Sequence, residues 1–390
     1  MKLQLAGTAN SCTGLSDLPG RSVVRLRRLD EVGEEADYAL VRSAEDVDRA
    51  KYYGWRSVFV VGDDVRPPLR CFERAIVVGQ EFDYLNEGDI VGIQHRTRRF
   101  RSLYRKNSRH NSFLVTERCN NYCLMCSQPP KSINDRWILD EIAEALPLLD
   151  PSLQTLTFTG GEPLTEWHEF VDVLARCRDV LPSTAVQVLT NGRAFADTQI
   201  VNAWSAVNHP NLIAAIPVYS AVDHVHDHVV QAKGAFDETI MGILKLKDRG
   251  QKVEIRVVLH ALTAPSIAET CHWLARNLPF VDHVALMGME NAGFALANDA
   301  LLSIDPMDYQ AELAEAVEWL ITAGVNVSVY NLPRCVLDRS VWPFAVQSIS
   351  DWKNGFVEEC EMCSERQQCS GLFTSGRPRL SRGIKALAGP

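Results

Sequence analysis

From residue 154 onward the chain alternates short apolar, β-branched runs with longer segments whose apolar positions recur every three or four residues. That is how parallel βαβ units read. Runs at 113–117, 155–159, 185–190, 212–219, 253–260 and 282–287 predict strands. Between them Ile138, Ile142, Ala145, Leu146 and Leu149, then Phe170, Val173, Leu174, Cys177 and Val180, predict amphipathic helices that cover one face of a sheet. About six repeats fall short of the eight of a closed barrel, so the predicted fold class is α/β, a partial (β/α)6 TIM-like barrel. A further helix is predicted from Asp305, with Pro306 at its first position, a stripe through Leu313, Val317 and Leu320, and Gly324 after its last turn.

The first 110 residues show no βα period, and short β-prone runs such as 75–78 and 89–94 are separated by turn residues. This predicts a β-rich N-terminal region over 1–110, a peptide-binding candidate, ahead of the barrel at 111–325 and a C-terminal extension at 326–390. The stretch 95–110, HRTRRFRSLYRKNSRH, holds seven Lys and Arg and no acid. It reads as a hairpin whose charged edges resist edge pairing, or as a basic surface for an acidic peptide or nucleic acid.

Composition narrows the class. With 46% hydrophobic and 23% charged residues the chain is ordinary for a globular protein. No apolar run is long enough to span a bilayer and the start holds no long apolar stretch, so a soluble, cytoplasmic protein with no membrane contact is expected. A net charge of −9 argues against a generally nucleic-acid-binding surface.

Eleven cysteines set the chemistry. An odd number in a chain large enough to build its own core disfavours a disulfide framework. Seven fall into two groups. Cys119, Cys123 and Cys126 form C-x3-C-x2-C in one loop, where three thiolates suit a 4Fe–4S cluster with one iron left open. A structural zinc needs a fourth ligand, and Arg118, Ser127 and Gln128 supply none. Cys335, Cys360, Cys363 and Cys369 supply four thiolates, a count that a structural zinc and a fully ligated 4Fe–4S cluster satisfy equally. Cys12, Cys71, Cys177 and Cys271 read as ordinary thiols, the last two on core-facing helix positions.

The three-cysteine loop resembles the signature of the radical S-adenosylmethionine (radical SAM) superfamily. Thr159-Gly160-Gly161-Glu162-Pro163, one βα unit later, is similar to that superfamily's GGEP segment. The resemblance implies that Gly160, Gly161, Glu162 and Pro163 receive the amino group of S-adenosylmethionine, the glycines by close backbone approach and Glu162 by its charge. It further implies cofactor contacts at Thr190 and Asn191, where Asn-Gly is otherwise a tight turn, and at Ser220. Arg256, mid-strand, pairs either with the cofactor carboxylate or with Glu162 or Glu254. The C-terminal group resembles the extensions that carry an auxiliary 4Fe–4S cluster, with Phe373 where longer extensions have a further cysteine. Asp223–His228 holds three histidines in five residues, read as a polar helix start, a substrate contact or a metal site, and Glu290 as a loop cap or a ligand contact.

The segment 111–130, with Ser348 to Asn354, looks like the radical maturase of the His-Xaa-Ser repeat peptide system. That resemblance implies an enzyme that cleaves S-adenosylmethionine to a 5′-deoxyadenosyl radical and abstracts hydrogen from a ribosomally made precursor peptide. The partners it implies are that peptide, a second radical SAM maturase and a low-potential electron donor such as flavodoxin or ferredoxin. Two other functions fit parts of the sequence: a radical enzyme acting on RNA or a nucleobase, supported by the basic stretch alone, and an adaptor in which both cysteine groups hold zinc.

Overall fold

Two eight-stranded sheets organise the chain. The structure is a computed structural model that describes residues 4–15, 20–31, 33–62, 69–347, 353–373 and 379–388. The first sheet contains β1 (Ala6–Thr8), β2 (Ser11–Thr13), β3 (Arg21–Arg27), β4 (Asp37–Val41), β5 (Ser57–Val61), β6 (Arg74–Val78), β7 (Ile90–Gln94) and β8 (Arg99–Tyr104), in the order β1-β8-β7-β3-β4-β5-β6-β2. Strands β3 to β6 are parallel, and α1 (Ala44–Tyr52) joins β4 to β5. The N-terminal region therefore holds a βαβ unit that periodicity did not reveal. The helix has nine residues and buries only Val47 and Ala50, and it is started by a capping box between Ser43 and Asp46 rather than by a long apolar stripe.

The basic stretch is the β7–β8 hairpin and the loop after it. Because β1 pairs with the far side of β8, the charges guard no free edge. They also do not gather on one surface. Arg98 at the turn donates to the Asn10 carbonyl at 2.8 Å, and Arg101 donates to Glu141, whereas Lys106 and Arg109 lie beyond the other end of a strand about 20 Å long.

The second sheet is wholly parallel and follows chain order: β9 (Asn111–Thr116), β10 (Thr155–Gly160), β11 (Ala185–Leu189), β12 (Leu212–Pro217), β13 (Lys252–Leu259), β14 (His283–Gly288), β15 (Val327–Tyr330) and β16 (Ala345–Val346). β9 and β16 do not pair, so the sheet is open, as expected of a partial barrel. The first six are the strands expected from the sequence. β15 and β16 extend the sheet and are too short, at four and two residues, to leave an alternating pattern.

Helices α2 (Trp137–Ala145), α3 (Trp167–Val180), α4 (Thr198–Ala206), α5 (Asp223–Val230), α6 (Ala235–Asp248) and α7 (Ile267–Asn277) separate the strands. Two single turns follow, α8 (Phe294–Ala297) and α9 (Asp299–Leu302), then α10 (Gln310–Thr322), which begins after a 3-10 turn capped by Asp305. Alternate strand residues such as Leu156, Phe158, Val186, Val188, Ile255 and Val257 are buried against the helices. Thr157, Gln187, Glu254, Arg256, His283 and Ser328 take the other face of the sheet. Among the described residues no helix is long and apolar enough to cross a membrane.

The two sheets meet at α2. Val23, Ile90, Leu103 and Tyr104 share a core with Phe113, Ile138 and Ile142. At its rim the buried Glu141 carboxylate accepts from Arg101 Nε at 2.7 Å, while Arg21 and Arg101 lie over the Trp137 ring at 3.3 and 4.9 Å. Glu141→Ala strands the Arg101 guanidinium against this interface and should cost about 2 kcal/mol. Denaturant unfolding measures it, and an unchanged midpoint would contradict this role for the pair.

Candidate functional site

The loop carrying Cys119, Cys123 and Cys126 leaves the C-terminal end of β9 and is held by backbone bonds to distant elements. Tyr122 N and Leu124 N donate to the Val230 and Val229 carbonyls at 3.1 and 2.9 Å. These are terminal acceptors of α5 that have no partner inside the helix. Phe294 N donates to the Cys126 carbonyl at 2.8 Å, and Asn298 Nδ2 to that of Leu124 at 2.8 Å. Asp135, beyond the loop in the chain and passed over by the sequence reading, accepts from the residues just before it, Thr116 Oγ1, Glu117 N and Arg118 Nε. Burial raises the pKa of all three thiols, and neighbouring thiols add to the rise at Cys119 and Cys123. Cys119 is pushed up to about 11 and Cys123 to about 12.

Glu162 joins this loop to the next two strands. Its side chain, 1% exposed, accepts from Thr190 Oγ1 at 2.7 Å, Asn191 N at 2.6 Å and Leu164 N at 3.0 Å. Burial raises its pKa. Gly161 N and Glu162 N donate to the Thr116 and Arg118 carbonyls at 2.7 and 2.8 Å, an approach that needs glycine: a Cβ on Gly161 would stand 2.0 Å from the Arg118 oxygen. Here the paired glycines let the segment close on the cysteine loop. Asn191 Nδ2 then reaches Asn120 Oδ1, and Arg193 Nη1 reaches Asn121 Oδ1, each at 2.6 Å. Thr190 and Asn191 thus tie the strand ends together, and Gly192 makes the expected tight turn at φ +79°. Ser220 Oγ accepts from Val222 N at 3.0 Å at the entry to α5.

The C-terminal group converges as well. Cys335, Cys360, Cys363 and Cys369 line one cavity, with Arg334, Glu365 and Arg366 in its wall. Backbone N–H groups of Arg334 and Gly371 point at the Cys369 sulfur, at 3.4 and 3.5 Å. Arg334 pairs with Glu365 and keeps a buried Nε without a hydrogen-bond partner. Cys177 and Cys271 are buried in the core, and none of the eleven cysteines forms a disulfide. Of the segment Ser348 to Asn354, residues 348–352 lie outside the described residues.

Residues 113–274 match the Radical SAM superfamily. The match covers less than half of the chain. Among solved structures the chain is similar to SuiB of Streptococcus suis bound to S-adenosylmethionine, at 13% identity over 58% of this chain and 51% of that one, TM-score 0.46. SuiB bound to the precursor peptide SuiA matches at 12% identity over 57% and 48%, TM-score 0.44. A radical SAM methyltransferase from Sphaerobacter thermophilus matches at 15% identity over 64% and 70%, TM-score 0.43. The chain spans about half the length of the SuiB structures it matches. No curated protein matches it.

A match to that superfamily implies a 4Fe–4S cluster and S-adenosylmethionine, and the residues present fit both. The matched region supplies three thiols on one loop, and a bound metal would reverse the upward pKa shifts by deprotonating its thiol ligands. Beside them Arg256 lies 3.7 Å from Glu254 and keeps a buried Nη1 with no hydrogen-bond partner, a donor suited to a carboxylate. Of the two ion-pair partners considered for Arg256, the structure supplies Glu254. Tyr219, also missed, stands among Cys123, Cys126, Arg256 and Cys119, all of which act on its hydroxyl. Glu254 heads a chain across the concave face: Gln187 Nε2 donates to it at 2.9 Å, His283 Nδ1 lies 3.0 Å away, and His283 Nε2 meets Ser328 Oγ at 2.9 Å. The only sequence signal for it was polar residues at alternate positions of otherwise apolar strands.

The three histidines of α5 do not converge. His224 and His228 are exposed one turn apart, whereas His226 is buried, its Nδ1 accepting from Tyr219 N at 3.2 Å. Among the described residues no group of three or more His, Cys, Asp or Glu side chains, the two cysteine groups included, is arranged around a single metal ion. Glu290 pairs with Lys353 of the extension at 3.3 Å. Burial lowers His226 and His260 from 6.5 to about 4. Between those values the unfolded chain binds protons at these rings that the folded chain does not. Stability therefore falls as pH drops from 6.5 towards 4 and levels off below, with about 2 kcal/mol per ring lost by pH 5. Thermal unfolding at pH 7 and pH 5 should show this loss, with His226→Asn removing roughly half of it. Equal acid sensitivity in the variant would exclude His226 as a source.

Proposed function

We propose that the chain is a radical SAM maturase that modifies a ribosomally made precursor peptide of the His-Xaa-Ser repeat type. In this reading Cys119, Cys123 and Cys126 hold the first 4Fe–4S cluster, and Gly160 to Pro163, Thr190, Asn191, Ser220 and Arg256 form the S-adenosylmethionine site. Cys335, Cys360, Cys363 and Cys369 hold an auxiliary 4Fe–4S cluster. When bound, the first cluster and S-adenosylmethionine supply a 5′-deoxyadenosyl radical that takes hydrogen from a C–H bond. The protein's part is to orient the peptide and keep water and side reactions away.

One observation carries the reading: the C-terminal cysteine cavity adjoins an open cleft at the strand ends of the parallel sheet. Leu259, Gly288 and Asn331, at or just past the ends of β13, β14 and β15, line the cleft, and Pro333, Gly371, Leu372 and Ile384 line both spaces. A peptide seated there touches the wall of the auxiliary site, where four thiolates leave no iron open and electron transfer is the available role. A low-potential donor such as flavodoxin or ferredoxin reduces the first cluster, and a second radical SAM maturase acts on the same peptide. The RNA alternative is weakened because its basic stretch is divided between two ends of a hairpin.

Anaerobic reconstitution should give about eight irons per chain, and Cys119→Ala should lose roughly half of them and all 5′-deoxyadenosine formation. Deuterium should pass from a labelled His-Xaa-Ser peptide into 5′-deoxyadenosine. A colourless protein with stoichiometric zinc, or transfer from RNA alone, overturns the proposal.

A further inference from the structure

Residues 379–388 follow the last cysteine and form no helix or strand, yet they are firmly seated. Arg379 is paired with Asp299 and bonded to Ser303. Ser381 Oγ donates to Asp305, Arg382 N donates to Asp305 Oδ2 at 2.9 Å, and the Arg382 guanidinium pairs with Asp308. The anchors all belong to the segment between β14 and α10. Leu380, Ser381 and Ile384 line the open cleft, and Ile384, Lys385 and Leu387 line the cysteine cavity. The tail ends on the thiols. Leu387 N donates to the Cys363 sulfur at 3.4 Å, while Ser364 N and Oγ hold the Leu387 carbonyl at 3.0 Å each.

We propose that this tail is the closing wall of the C-terminal cysteine site and a positioning element for its redox function, with the Leu387 backbone N–H setting the potential of the bound cluster. The proposal rests on the auxiliary-cluster reading above. An N–H pointed at a thiolate sulfur offsets negative charge, and the reduced cluster, [4Fe–4S]⁺ after gaining one electron from [4Fe–4S]²⁺, is the more negative of the two states. Each such bond raises the potential, and exclusion of water by the same wall sets the environment in which that charge is felt. Because Asp299, Asp305 and Asp308 hold the tail, its seat does not depend on the cysteines. Because the same residues line the cleft, whatever occupies the cleft touches the segment that tunes the cluster.

The test uses the full chain with Cys119, Cys123 and Cys126 replaced by alanine, leaving one set of ligands, and follows the electron-paramagnetic-resonance signal through a redox titration. Leu387→Pro removes one N–H, Leu387→Ala keeps it, and a truncation after residue 378 removes the whole wall. The potential should shift negative in Leu387→Pro and further in the truncation, with iron release to a chelator accelerated several-fold, while Leu387→Ala stays at the parent value. If Leu387→Pro does not retain its cluster for titration, accelerated release relative to Leu387→Ala is the supporting result. An unmoved potential with iron retained in both tail variants overturns the tail proposal and leaves the cluster reading intact. A parent protein that binds zinc or no metal overturns the cluster reading, and the tail proposal with it.

Discussion

The buried carboxylate of Glu162 is the joint on which the first site depends. An unpaired charge at that depth costs several kcal/mol, so the fold must bring donors to it. It does so with Thr190, Asn191 and Leu164, two of them through backbone N–H groups whose positions are fixed by the chain itself. Meeting that requirement locks the ends of β10 and β11 together. The glycines before Glu162 then let the same segment close on the Thr116 and Arg118 carbonyls, so the joint also fixes where the cysteine loop begins. A carboxylate that binds its own chain this fully positions the site through geometry more than through charge.

Much of this was legible in the sequence because it is local. The six strands announce themselves through continuous apolar runs, as buried parallel strands do, and the helices between them through their period. α1, β15 and β16 did not, since a nine-residue helix and strands of four and two residues are too short for a pattern to repeat. The contacts that position the sites are non-local: Gln187 meets Glu254 across 67 positions, His283 meets Glu254 across 29, and Leu387 meets Cys363 across 24. The α5 histidines show the converse. Their spacing suggested convergence, but on a helix positions two apart point to different faces, so His226 turns into the core and its neighbours turn out.

The two cysteine sites solve opposite problems. In the proposed reading the first needs an open face, and its loop is held by the terminal carbonyls of α5 and by Phe294 and Asn298. The second, in the same reading, would supply all four ligands itself, and it is closed on several sides, by N–H groups of Arg334 and Gly371, by Arg334 with its unmatched buried Nε, and by the returning tail. Arg256 at the first site and Arg334 at the second each pair with a carboxylate, Glu254 and Glu365, and each keeps one buried nitrogen without a hydrogen-bond partner, spare capacity where the proposed reading places negative charge.

Connectivity explains why both cysteine groups sit at one end of the sheet. In parallel α/β sheets ligands collect at the carboxyl ends of strands, where loops rather than helices meet. Cys119 lies three residues past the end of β9 and Cys335 five past the end of β15, so both cysteine groups are anchored at that end of the same sheet. Because the sheet is open, the chain after β15 is free to run alongside the strand ends instead of sealing a barrel. The remaining three cysteines and the tail then fold back onto Cys335, and the cleft is the space left between this extension and β13, β14 and β15.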